Sequence, residues 1–250
     1  MRELRRNEKN KLQVTSYKLI VNKNKMKRLK YILFLAILVL TSCNNRLSNY
    51  YNSQAEKLEA EGKYEEAIAL LDKAIKKNPQ NLYALINRGV DKSILEDYNG
   101  AIEDYTKIIK ISPRNSLAYL NRGNNKARLG NYLEAIEDYN KVIRIKGGGE
   151  TKNGNLFYID IGYMKDFDEF YVSMEEVHFQ RGLARYHIDS LKLALNDFDF
   201  CIQKNFELLS CYYMIGLIYI AYGNMEEAYL ALNKSILLGN PEAQKIIDKY

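Results

Sequence analysis

Cysteine, histidine and proline are scarce in this chain of 250 residues, at three, two and three, and each shortage closes off a class of chemistry. Three cysteines cannot supply the bridge framework of a small secreted fold, and the spacing of Cys201 and Cys211 matches no zinc pattern. Both read as small buried residues on neighbouring helices, with an oxidised pair as the alternative outside the cytoplasm. The only histidines, His178 and His187, are nine residues apart on one expected helix. At about 100 degrees per residue they face opposite ways and cannot share a metal there. No phosphate loop, nucleophile elbow or zinc motif occurs in the body of the chain. The expectation is a protein that is not an enzyme and takes no cofactor or metal.

The apolar run YILFLAILVL, Tyr31–Leu40, is also short: a spanning helix needs about 20 such residues. It follows the basic cluster KMKRLK, Lys25–Lys30, and an apolar core of about 7 to 15 residues behind a positive flank describes a secretory leader. Leu40, Thr41, Ser42 and Cys43 follow. They resemble the lipobox of bacterial lipoproteins, Leu-(Ser/Thr/Ala)-(Gly/Ala/Ser)-Cys. The resemblance implies cleavage before Cys43 and attachment of acyl chains such as palmitate to it. Residues 1–25 make a longer basic segment than such leaders carry, so Met26 is the expected start of translation. Asn44 is not the Asp associated with inner-membrane retention in some bacteria, which places the expected anchor in the outer rather than the inner membrane of the envelope.

Of the 37 Lys and Arg and 31 Asp and Glu, residues 1–42 hold eleven cations and two acids. From Cys43 onward 26 cations meet 29 acids, so the net charge of +6 belongs to the leader. A nucleic-acid partner is not expected, because the body carries no basic footprint.

Self-similarity organises the rest. YALINRGVDKSILEDYNGAIEDYTKIIKISP (Tyr83–Pro113) and AYLNRGNNKARLGNYLEAIEDYNKVIRI (Ala118–Ile145) align at a spacing of 34. The period and its glycine, tyrosine and alanine pattern resemble the tetratricopeptide repeat family. That resemblance implies an all-α solenoid of about five helix-turn-helix units, starting near Ser48, Leu82, Ser116, Glu175 and Leu209. The eighth position of each unit is small (Ala55, Gly89, Gly123, Gly182, Gly216) and so is the twentieth (Ala67, Ala101, Ala135, Ala194, Ala228). The twenty-fourth is bulky: Leu71, Tyr105, Tyr139, Phe198 and Leu232. Small residues let the two helices of a hairpin approach, and the bulky ones fill the gap between them. Pro79 and Pro113 end second helices, while Gly147 and Phe206 stand at the corresponding places of units three and four. The expected organisation is a leader at 1–42, a tether at 43–47, units one to three at 48–149, an insertion at 150–174, units four and five at 175–239 and a capping helix at 240–250. In that last helix Asn240 is the expected N-cap, and Ala243, Ile246, Ile247 and Tyr250 form the apolar face that closes the stack.

Comparison of the units adds a charge pattern. Units two, three and four carry Arg at the seventh position (Arg88, Arg122, Arg181) and Asp at the twenty-third (Asp104, Asp138, Asp197). Units one and five lack both, with Gln54 and Leu70, Ile215 and Ala231. Residues that come and go together within a unit predict an Arg–Asp contact between its two helices.

In the family, first helices line a concave groove that takes a peptide or a helix. The resemblance puts Tyr83, Ile86, Asn87, Val90, Leu120, Asn121, Asn124, Arg128, Phe179, Gln180, Leu183, Tyr213, Met214 and Leu217 in that groove. The clamp by which some members hold an acidic C-terminal tail is not expected, because Asn52 and Glu56 occupy places where it needs Lys and Asn. The insertion contains six aromatics with Asp160, Asp166, Asp168 and Glu169. Their spacing matches no calcium loop, and the segment, too aromatic for a plain linker, reads as a tolerated loop packing on its neighbours, with an ordered flap or hairpin that contacts a partner as the alternative. The function that follows is a non-catalytic scaffold on the bacterial envelope, membrane-bound through lipid on Cys43 and binding a protein or peptide. The alternative is a passive structural or regulatory subunit whose insertion covers the groove.

Overall fold

The computed structural model describes residues 2–150, 156–158 and 172–250. Helix α1 (Arg2–Ala60) pairs with α2 (Tyr64–Lys77), α3 (Leu82–Ile94) with α4 (Tyr98–Ile111), and α5 (Ser116–Arg128) with α6 (Tyr132–Ile145). Two short strands follow, β1 (Gly148–Glu150) and β2 (Leu156–Tyr158), antiparallel with Gly149 opposite Phe157. Then α7 (Met174–His187) pairs with α8 (Leu191–Gln203) and α9 (Leu208–Ala221) with α10 (Met225–Leu237), and α11 (Pro241–Ile247) closes the described chain.

Each hairpin turns through a left-handed residue at the fifteenth position of its unit. Gly62, Gly130 and Gly223 have φ of 75°, 79° and 75°, a conformation that costs glycine nothing. Glu96 and Asp189 adopt φ of 62° and 60° at the same place without that freedom. First helices are started by side chains: Asn81, Asn115 and Ser173 accept from the backbone N–H of Ala84, Ala118 and Glu176. The Asn81 amide also donates to Ser48 Oγ at 2.9 Å, and Ser48 donates to the Ala74 carbonyl at 2.8 Å. One cap therefore ties the start of unit two to both helices of unit one.

Where the helices of a hairpin cross, the twenty-fourth side chain lies on the eighth residue. A Cβ on Gly89 would come within 2.8 Å of the Tyr105 ring, and one on Gly123 within 2.8 Å of Tyr139. Gly182 stands in the same relation to Phe198, and Gly216 to Leu232. The core is divided accordingly into clusters along the stack, each reaching into the next unit. Ala84 of unit two packs with Leu71, Ala118 of unit three with Tyr105, and Val177 and Ala184 of unit four with Tyr139 and Val142. This is the quasi-one-dimensional construction of a solenoid. It continues past the insertion: Tyr132 of unit three stacks on His187 of unit four, with ring centroids 4.4 Å apart.

Charge crosses the same hairpins. Arg122 Nε donates to Asp138 Oδ2 at 2.9 Å and its Nη2 to Oδ1 at 2.7 Å. Arg88 grips Asp104, and Arg181 grips Asp197, with the same two-pronged geometry. A second cation four residues on joins each carboxylate: Lys92, Lys126 and Arg185. The remaining guanidinium nitrogen reaches back to the preceding unit, to Asp72 from Arg88, Thr106 from Arg122 and Asn140 from Arg181. The pattern thus joins units as well as closing hairpins, which within-unit pairing alone does not convey.

Several expectations are corrected. Residues 43–47 form no separate tether: they continue α1 as helix into the first unit, since no Gly or Pro interrupts them. Helix α11 stops at Ile247, and three-residue turns at Lys249 and Tyr250 rotate Tyr250 off the capping face, leaving it 62% exposed. Ala243 alone of that face is fully buried. At Phe206 no proline is needed, because left-handed Asn205 and Glu207 turn the chain and the ring packs edge-on against Phe179. The acidic residues of the insertion, Asp160, Asp166, Asp168 and Glu169, lie outside the described residues.

The hairpin pairing has a direct energetic consequence. In a double-mutant cycle on Arg122→Ala and Asp138→Ala, read by urea denaturation, the coupling is expected at about 1–3 kcal/mol. Additive effects would contradict it.

A candidate peptide-binding groove

First helices of successive units lie side by side, and two cavities open along the face they share. The first, about 440 Å³, is lined by Val90, Ser93 and Ile94 of α3, by Asn121, Asn124, Asn125 and Arg128 of α5, and by Glu96, Tyr98 and Tyr105. The second, about 490 Å³, lies between α5 and α7 and is lined by Asn124, Ala127, Arg128, Tyr132, Gln180, Leu183, Ala184 and His187. Asn124 and Arg128 belong to both, so the cavities are neighbours along one face.

Of the residues the repeat frame assigns to the groove, Val90, Asn121, Asn124, Arg128, Gln180 and Leu183 line these cavities. Tyr83 is exposed on the same helix as Val90, and Asn87 donates to Asn52 Oδ1 across the first two units. Ile86 and Leu120 are corrected. Both are buried, because the fifth position of these units points into the cluster formed with the unit's own second helix, around Tyr105 for Ile86 and Tyr139 for Leu120. Phe179 and Met214 are half-buried against the cluster that joins units four and five. Tyr213 and Leu217 remain half-exposed on α9, beyond both cavities.

The frame missed Asn125 and Ala184, at the tenth position, together with Ser93, Ile94, Ala127 and His187. The last four occupy the twelfth and thirteenth positions, three and four residues beyond the ninth, and therefore share its helix face. That spacing was the available signal. Glu96, Tyr98 and Tyr132 come from turns and second helices, where first-helix periodicity carries no information about lining.

The groove's amides are oriented from below. Tyr139 OH donates to Asn124 Oδ1 at 2.8 Å, and Asn125 donates to the Asn121 carbonyl at 2.8 Å while accepting from Ser93 Oγ. Beneath this face Asp197 is fully buried. Burial raises the pKa of its carboxyl, but His178, Arg181 and Arg185 outweigh it and hold the group below the ordinary carboxylate range. His178, likewise buried, has its pKa lowered by loss of water, against the opposing pull of Asp197. The two histidines are thus separated, one in the core and one stacked in the second cavity. Among the described residues no three metal-ligating side chains gather. Cys201 and Cys211 are buried free thiols, and their mutual contact together with burial raises the Cys201 pKa.

Between α1 and α3 a carboxyl pair has the opposite character. Asp91 is 1% exposed, and its pKa is pushed up to about 7 by burial and then by Glu59. The unfolded chain releases this proton near pH 4, about the ordinary Asp value, whereas the folded chain holds it to about 7. A raised carboxyl pKa means the unfolded state sheds its proton first, so this group's contribution falls as pH rises through that window.

Two models described as tetratricopeptide repeat match the chain, one at residues 117–147 and 209–238 and the other at residues 53–90. Among solved structures, YrrB, described as a TPR protein with an unusual peptide-binding site, is 18% identical at a TM-score of 0.62, covering 80% of this chain and 91% of its own. MamA of Desulfovibrio magneticus RS-1 is 15% identical at a TM-score of 0.62, covering 76% and 94%. PilW, described as a widely conserved type IV pilus biogenesis factor, is 17% identical at 0.58, covering 76% and 77%. No curated protein matches the chain. Tetratricopeptide repeats are therefore present, and the fold is their α-solenoid.

The carboxyl pair yields a pH signature. Melting temperatures of the wild type and Asp91→Asn, compared from pH 4 to 8, should diverge in favour of the variant as pH rises from about 4 to about 7 and level off above it. Parallel curves would contradict the pairing.

Proposed function

We propose that this chain is a non-catalytic interaction scaffold of the bacterial envelope, held to a membrane by lipid on Cys43 and binding a partner peptide or helix along the groove. The observation that carries the reading is the continuity of the two cavities. Oriented amides alternate there with Val90, Ile94 and Leu183, which suits a ligand whose backbone is hydrogen-bonded while its side chains enter pockets. The description of YrrB as a peptide-binding repeat protein supports this use of the fold, and the pilus role named for PilW supports an envelope setting.

The anchor rests on the leader. Among the described residues no helix is long and apolar enough to cross a membrane. Ile32, Leu33, Phe34, Leu35, Val39 and Leu40 are all exposed, so this apolar segment is unused by the repeat core. Cys43 follows it, exposed on α1 and accessible to an acylating enzyme. Each acyl methylene buried in a bilayer contributes about 0.8 kcal/mol, and two chains give stable attachment where one does not. The absence of the inner-membrane signal at Asn44 makes the outer membrane our choice of site.

Intact mass and membrane fractionation of the wild type and Cys43→Ala test the anchor. Expected is a mature chain beginning at Cys43 with added acyl mass in the membrane fraction, both lost in the variant. An unprocessed chain with the same distribution in both would overturn it.

A further inference from the structure

We infer that the second cavity is a pocket for an acidic side chain, Asp or Glu, presented by an extended peptide segment of a partner protein. This deepens the groove reading and rests on it. The fold leaves hydrogen-bonding capacity unspent at this cavity. Arg88, Arg122, Arg181 and Arg185 are all committed to buried carboxylates. Arg128 makes no ion pair and no hydrogen bond among the described residues, and it is exposed where both cavities meet. Asn124 accepts from the Tyr139 hydroxyl at its oxygen, and its NH2 donates to nothing among the described residues. Gln180, also free of hydrogen bonds among the described residues, faces the same cavity. A guanidinium flanked by amide donors is the chemistry that receives a carboxylate.

Charge distribution selects the pocket. The first cavity holds Glu96 as well as Arg128, which lowers its attraction for an anion. Among the described residues no acidic side chain lines the second, whose His187 lies flat against Tyr132 with ring planes 7° apart. Helix dipoles do not supply the attraction. The C-terminal turns of α5 and α7 reach the pocket through Arg128 and His187 and only the N-terminus of α6 through Tyr132, so their partial charges give an anion no net gain. The formal charge of Arg128 remains.

The test titrates the full chain, by fluorescence anisotropy, against fluorescein-labelled and C-terminally amidated decapeptide pools. One central position is fixed as Glu, Asp, Gln or Asn, and the others are randomised. Blocking both ends removes terminal charges, so a preference reports the side chain. The acidic pools should bind about tenfold more tightly than their amide counterparts, as expected when one charge-assisted pair is gained. Arg128→Gln should abolish that preference without moving the melting temperature, and Arg128→Lys should keep part of it. Equal binding of acidic and amide pools, or a preference that survives Arg128→Gln, would overturn the inference and leave the groove reading standing. Failure of every pool to bind the wild type would overturn both.

Discussion

A carboxylate taken out of water must be matched by a cation, and in this solenoid the facing helix of the same hairpin supplies it. Asp104 and Asp197 have no exposed side-chain surface and Asp138 has almost none, so any of them left alone would cost several kcal/mol. Arginine is suited to the task because its planar fork satisfies both carboxylate oxygens and still has a nitrogen to extend. That third nitrogen reaches Asp72, Thr106 or Asn140 of the preceding unit. One side chain therefore fixes the crossing within a unit and the register between units. The end units, with Leu70 and Ala231 in place of the aspartate, lack this device.

The groove is a consequence of that register. First helices held side by side bring Asn121, Asn124 and Arg128 of α5 against residues of α3 on one flank and α7 on the other. Arg122 and Arg128 share a helix and have opposite fates. Arg122, at the seventh position, is spent on Asp138, while Arg128, at the thirteenth, faces the open side and pairs with no carboxylate among the described residues. The same helix supplies structure from one face and binding capacity from another. The stack tolerates the insertion because chain leaves α6 and returns to α7 while Val142, Val172 and Val177 pack together across the gap.

Most of the scaffold was legible because it repeats. The small eighth and twentieth positions, the bulky twenty-fourth, and the co-occurrence of Arg with Asp each recur in several units, so one sequence served as its own comparison. The features that were not legible occur once or depend on neighbours. Ile86 and Leu120 look like groove residues by position, but they pack into the clusters around Tyr105 and Tyr139, and how far a first helix rolls toward those rings is set by the fold. Asp91 and Glu59 belong to different units and form no recurring pattern, so only the fold brings them together. Tyr250 fits the helical spacing of the capping face, yet the helix ends before it. The cavity residues from turns and second helices escaped because the repeat frame places helices, not the openings between them.

The central functional claim is that partners are taken on the first-helix face. It is tested most directly by placing a photo-cross-linking amino acid at Leu183, which lines the second cavity, and separately at Leu230, which is 60% exposed on α10 outside both cavities, in cells expressing the full chain. The account predicts a discrete protein adduct from position 183, in the membrane fraction, that an excess of an acidic decapeptide selected from the pools diminishes. An adduct from position 230 alone would contradict it.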